Sequence, residues 1–286
     1  MQVRKAVIPA AGWGMRFLPI TRAYPKELLP IITKPLIQLA VEEAVASGID
    51  EIIIVVAERH PAIQGYFRPA MDLCVMLEQK GASHLAEEMR RIEKLARISY
   101  VTQSERLGLG HTVLTAKKSV GEEPFAVILP DDVVDATKPV LVQMLEIFTD
   151  YGCSVLGVEC IKTSDIQRYG VIRHEMINPR VYKVLSLVEK PAPDLAPSQL
   201  GIVGRYILTP QIFEAIAATS SGRCGEIQLT DALTILLSNQ QIYALEFCGQ
   251  RFDTGSPLGW LEAQVAFGLK HPDYGDAFRE KLRHMI

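Results

Sequence analysis

The run EIIIVVA at 51–57 constrains the fold more than any other stretch of the chain. Every position after Glu51 is apolar, and all but the last are β-branched. A strand sends alternate side chains to opposite faces, so a strand apolar throughout needs cover on both sides. That calls for a parallel sheet with helices above and below it. Further runs at 5–9, 98–102, 125–130, 153–160, 184–189 and 201–208 also read as strands. Residues 36–47, 111–119, 139–150, 229–238 and 258–269 read as helices, the first stopped by Gly48. Alternating strands and helices predict an α/β chain. Its 286 residues are enough to bury a large core.

The segment from about 70 to 97 breaks that rhythm. Leu85, Met89, Ile92 and Leu95 recur at helical spacing with charges between them. This predicts a helical insertion packed on the sheet, with a subunit contact as the alternative. The loop PAPDLAP at 191–197 is stiff but too short to separate domains, and one domain over 1–286 is expected.

A formal net charge of −3 argues against nucleic acid as a partner. Five widely spaced cysteines without a C-x-x-C predict reduced thiols, no zinc site and a cytoplasmic protein. No run approaches the length of a membrane span, and no membrane partner is expected.

The chemistry-bearing residues lie at the ends of the expected strands. AVIPAAGWGMR at 6–16 is a strand entering a glycine turn, a form that presents backbone N–H groups to an anion. A Walker A loop is excluded by the absence of Gly-Lys, and a dinucleotide fingerprint by Phe17 where a third glycine belongs. Arg16 and Lys26 flank the turn, as a triphosphate would require. A plain strand-to-helix turn is the competing reading. Asp131 and Asp132 end the apolar run 125–130, where α/β proteins place ligands and where oxygen donors suit magnesium. A solvated turn would look the same. Asp253 sits in DTGS, a single copy in an α/β chain, which excludes an aspartic-protease dyad. It reads as a second metal ligand or as a helix cap. Glu189 and Lys190 would point to opposite faces if their strand continued, or form a surface ion pair. His111 reads as a helix-start residue without a triad or metal partner.

Together KAVIPAAG, PKELLPI, LGLGHTVL, AVILPDD, YGVI, VEKP, IVGRY and GEIQLTDAL resemble the sugar-1-phosphate nucleotidylyltransferases, in order and over nearly the whole chain. Within that family the likeness is to the bacterial members that use UTP and glucose 1-phosphate. The resemblance implies a Rossmann-like three-layer α/β/α nucleotidyltransferase fold with a mostly parallel sheet and a small added lobe. It implies nucleotide contacts at Ala10, Ala11, Gly12 and Gly14, and recognition of the uracil edge by Gln103 and Gly108. Arg16 and Lys26 would hold the triphosphate, and Asp131 and Asp253 magnesium. Gly170, Glu189, Val203 and Gly204 would contact the sugar within a part spanning about 160–255, with Lys190 on its phosphate. A homodimer or homotetramer is implied as well. One position departs from the family pattern G-x-G-T-R: Met15 stands where it has threonine. Two readings follow, an active uridylyltransferase and a sugar-nucleotide-binding paralogue with a regulatory role. The same transfer with another sugar 1-phosphate or dTTP is a variant of the first, and a Rossmann dehydrogenase is a distant third.

Overall fold

The computed structural model describes residues 2–58, 61–222 and 225–285; Cys224 lies outside them. Nine strands form one sheet: β1 (Lys5–Ala10), β2 (Glu51–Ala57), β3 (Arg97–Gln103), β4 (Phe125–Ile128), β5 (Val155–Cys160), β6 (Gly170–Asn178), β7 (Val181–Glu189), β8 (Leu200–Leu208) and β9 (Tyr243–Glu246). Their spatial order is β3-β2-β1-β4-β8-β5-β9-β7-β6.

The strand alternation sorts the core into two layers. Ile52, Ile54 and Val56 of β2 join Ala6 and Ile8 of β1 on one face. Helices α1 (Leu36–Ala46) and α2 (Val140–Tyr151) cover it through Ile37, Val41, Leu141 and Met144. Ile53, Val55 and Val7 point the other way and meet Val113, Phe213, Leu229 and Leu233. Those residues come from helices α3 (Gly108–Thr115), α4 (Ile212–Ala218) and α5 (Leu229–Leu237). The result is a three-layer α/β/α arrangement.

The parallel character holds for the N-terminal half of the sheet. β3, β2, β1 and β4 are all parallel, whereas β8 runs antiparallel to both β4 and β5. β6 and β7 form an antiparallel hairpin, since the two-residue turn Pro179–Arg180 leaves no room for a crossover. Arg180 takes a left-handed φ of 67° there. Strand β6 has no long apolar run and all six of its residues from Arg173 onward are exposed or half-exposed, so periodicity missed it.

The 70–97 segment holds two helices, Met71–Gln79 and Ser83–Glu93, joined at Gly81. Met89, Ile92 and Leu95 pack on the core, but Leu85 is 39% exposed and Ala86 is buried in its place. Asp132–Asp135 and Gln250–Asp253 form a separate two-stranded ribbon, with Asp253 opposite Asp132.

Candidate active site

A cleft of about 530 Å³ opens along the carboxyl ends of β1, β3 and β4 and is closed on its far side by β6, β7 and β8. Ala11, Gly12, Gly14, Arg16, Lys26, Gln103, Gly108, Asp131, Gly170, Glu189, Lys190, Val203, Gly204 and Asp253 all line it. Ala10 does not: it is the last residue of β1, 1% exposed and packed in the core. Its neighbours Pro9 and Ala11 both line the cleft, as the alternation of a strand requires.

The chain leaves β1 through Ala11–Gly14. Gly14 has φ +63°, and a Cβ there would lie 2.8 Å from Thr21 Cγ2, so glycine is required twice over. The Thr21 hydroxyl donates to the Gly14 carbonyl at 2.8 Å and fixes the turn. Gly12 differs. A Cβ on it would meet nothing nearer than Lys26 Cε at 3.8 Å. Arg106 Nε donates to the Ala11 carbonyl at 2.8 Å, and its guanidinium lies 3.9 Å from the Trp13 ring centre. Met15 lines the cleft at its mouth, 73% exposed.

Gln103 ends β3, 3% exposed. Its amide accepts from the Thr112 hydroxyl at 2.9 Å and lies 2.7 Å from His111 Nδ1. His111 thus lies in the first turn of α3, as expected, and its neighbour is an amide that it orients. Gly108 has φ +93°, and a Cβ there would sit 2.9 Å from the Ile227 carbonyl. Gly110 donates its N–H to that same carbonyl at 2.9 Å. The glycines of LGLG admit a crossing segment at the helix start, and no β-carbon would fit.

Lys26 and Asp131 form an ion pair at 2.5 Å. Burial pushes the Asp131 carboxyl up, but the charge and hydrogen bond of Lys26 outweigh it and hold it below its ordinary value. The same partner raises Lys26 against the opposing effect of burial. Beside them Glu27 is 2% exposed, and its Oε2 has no hydrogen-bond partner. Burial raises its carboxyl to about 7, against the lowering effect of Lys26.

Asp253 ends the ribbon and pairs with Arg168. Its other oxygen accepts from the Gly255 N–H at 3.2 Å. The capping role falls to Ser256, whose side chain accepts from the Gly259 N–H. A Cβ on Gly255 would lie 2.7 Å from Asp131 Oδ2 and 3.1 Å from Asp253 Oδ1, so the two carboxylates converge on one small volume.

Asp132 turns away from that volume. Its Oδ1 meets Arg251 at 2.5 Å and its Oδ2 accepts from the Gly204 N–H at 2.9 Å. Arg251 also reaches Glu159 at 2.6 Å and the Tyr169 hydroxyl at 2.9 Å. Buried Arg205 pairs with Glu43 at 2.7 Å and donates to the Leu129 and Asp132 carbonyls at 3.1 and 2.8 Å. Two arginines therefore clamp the loop that carries Asp131. Sequence reading missed Arg168, Arg205 and Arg251. Arg251 stands two residues from Asp253 on one strand, hence on the same face, and that spacing was the available signal.

Strand β7 stops at Glu189. Lys190 takes φ 47° and donates its N–H to the Tyr169 carbonyl at 3.0 Å. The alternation expected from a continuing strand is lost, and both side chains line the cleft, 2.9 Å apart. Gly170 lies opposite Glu189 in the hairpin, where a Cβ would strike Thr230 Oγ1 at 2.6 Å. Gly204 likewise has Leu129 Cβ 2.6 Å from its own Cβ position.

A fold and cleft of this kind define a nucleotide-handling transferase, and a family model described as nucleotidyl transferase matches residues 5–268. The chain belongs to that family. It is 44% identical over 284 residues to the UTP–glucose-1-phosphate uridylyltransferase of Staphylococcus epidermidis, covering 99% of both chains. The enzyme of that name from Staphylococcus haemolyticus is 45% identical over 284 residues, 99% of each. Among solved structures, a UDP-glucose pyrophosphorylase complexed with UDP-glucose superposes with a TM-score of 0.86 at 42% identity, covering 94% of this chain and 100% of that one. UTP-bound UGPase from Acinetobacter baumannii gives a TM-score of 0.92 at 36% identity and complete coverage of both chains.

Proposed function

We propose that the cleft transfers a uridylyl group from UTP to glucose 1-phosphate, giving UDP-glucose and pyrophosphate. The observation that carries this is the meeting, in one cleft, of a glycine turn, an oriented glutamine amide, two converging carboxylates and two separate lysines. A phosphate oxygen of the sugar phosphate attacks the α-phosphorus of UTP. The bond from that phosphorus to the bridging oxygen breaks, and its electron pair leaves with pyrophosphate. No protein nucleophile is needed, and positioning and charge stabilisation suffice.

The turn's N–H groups and Arg16 and Lys26 face the triphosphate in this reading. Gly12, unconstrained by its own protein surroundings, is a glycine so that a ligand can approach the backbone. Gln103 and Gly108 read the base. Glu189, Gly170, Val203 and Gly204 border the sugar, and Lys190 takes its phosphate.

No cluster of three or more metal-binding side chains occurs among the described residues. A magnesium ion held by one or two carboxylates and substrate phosphates needs no more than the Asp131–Asp253 pair, so the donor set fits. Bound there, magnesium would neutralise charge on the phosphates. No helix among the described residues is long and apolar enough to cross a membrane. A cytoplasmic homo-oligomer remains part of this reading, checked by fractionation and light scattering.

Incubation with UTP, glucose 1-phosphate and magnesium chloride should release pyrophosphate and UDP-glucose in equal amounts. Tight UDP-glucose binding without turnover would replace this function with that of a binding paralogue.

A further inference from the structure

We infer that Arg168 competes with the divalent metal for Asp253, and that its release links metal binding to triphosphate binding. The inference rests on the metal and nucleotide sites proposed above. Asp253 is engaged on both oxygens, by the Arg168 guanidinium on Oδ2 and the Gly255 N–H on Oδ1. Asp131, the other converging acid, has Lys26 on its Oδ2 at 2.5 Å. Each acid thus carries a cation that stands beside the cleft and is long enough to serve a phosphate instead. A dication on Asp253 would sit within a few ångströms of the Arg168 guanidinium, and like-charge repulsion sets the two against each other.

The two pairs are not equivalent. Lys26 and Asp131 are both largely buried, with side chains 22% and 23% exposed. Arg168 is 39% exposed and ends a short 3-10 turn, Thr163–Arg168, with Asp165 as a second acid 3.6 Å away. Asp253 is as buried as Asp131, 23% exposed, but the Arg168 head group can swing into solvent, and the arriving metal takes over the charge it leaves. Metal arrival frees it, and the freed guanidinium joins Arg16 on the triphosphate side. Arg168 therefore lowers the affinity for metal alone and raises the gain in nucleotide affinity that metal brings. Reciprocity requires that nucleotide strengthen metal binding by the same factor.

The test is UTP binding by calorimetry, in EDTA and in saturating magnesium, for wild type, Arg168→Met and Asp253→Asn. The ratio of the two affinities on one preparation is insensitive to any inactive fraction. For Arg168→Met the magnesium gain should shrink about two- to fivefold, as loss of one partly exposed charged contact allows. Manganese titrated alone and followed by electron paramagnetic resonance should bind more tightly by a similar factor. An arginine that touches only phosphate would weaken UTP equally with and without magnesium, and that result overturns the competition. Asp253→Asn separates the underlying assignment. If it keeps the full magnesium gain, Asp253 is no metal ligand and the site itself is misassigned.

Discussion

Two walls of the cleft are built on different principles. The wall at the ends of β1 and β3 uses mainly backbone and neutral groups: the Ala11–Gly14 turn, the Gln103 amide and Gly108, with Arg106 as its cation. The opposite wall is a network of charges. Asp131, Asp132, Asp253 and Glu189 each have a cationic partner, in Lys26, Arg251, Arg168 and Lys190. A ligand on the first wall meets mostly backbone and amide groups. Under the proposed function the second exchanges partners when phosphate or metal arrives. Changes to the neutral wall should alter which ligand is chosen, and changes to the charged wall should alter whether the reaction proceeds.

The largest effect expected is on the charged wall. Asp131→Ala and Asp253→Ala should each lower the turnover rate by about a thousandfold or more, since a whole charged contact to the transition state goes. Pyrophosphate release at saturating substrates and magnesium measures this, and near-normal turnover in either variant would remove that residue from the metal site.

Glu27 should give the next largest effect, on stability. Its carboxyl ionises near 7 in the folded protein, against an ordinary value of 4.5. Between those two pH values the folded state keeps a proton that the unfolded chain has released. Stability therefore falls as pH rises through that window, by up to about 3 kcal/mol. Glu27→Gln should abolish this part of the slope. Urea unfolding at pH 5 and pH 8 checks it, and parallel behaviour of the two proteins would show that Glu27 ionises normally.

Lysine substitutions sharpen the contrast within the charged wall. Lys190→Ala should weaken glucose 1-phosphate use by about tenfold and leave UTP nearly unchanged, as loss of one charged contact predicts. Lys26→Ala should do the reverse. Titration of each substrate against each variant decides it, and equal losses for both substrates would end the division of labour.

The smallest effect is assigned to Met15. Its side chain is 73% exposed at the mouth of the turn. Met15→Thr can add about one hydrogen bond near the phosphates, worth about 1 kcal/mol, so turnover should rise by about fivefold at most. UDP-glucose, which has no γ-phosphate, should bind unchanged.

The turn of the neutral wall was legible in the sequence because it is local, whereas Gln103 and Gly108 entered only through the family resemblance. A strand, a glycine turn and a cation sit within eleven residues, 6–16, and the positive φ of Gly14 follows from the turn. The charged wall was only half legible. Asp131 and Asp253 announce themselves as strand-end carboxylates, but their partners come from 105 and 85 residues away. Arg205 is hidden inside an apolar strand, GIVGRYIL, where an isolated charge reads as an anomaly until Glu43 of α1 is seen beneath it. Lys190 failed for a local reason, a left-handed φ at a non-glycine residue, which residue type gave no reason to expect. The sheet was legible where its strands are apolar on both faces. It was not legible in β6, which is exposed along most of its length.

The division between the walls is tested most directly by one steady-state experiment on two variants, Gln103→Leu and Asp253→Asn, with UTP varied at saturating glucose 1-phosphate and magnesium. Gln103→Leu should raise KM for UTP about tenfold or more with kcat within about threefold of wild type, as loss of ground-state and transition-state binding alike requires. Asp253→Asn should lower kcat at least about a hundredfold. A collapse of kcat in Gln103→Leu together with a purely KM effect in Asp253→Asn would contradict the account.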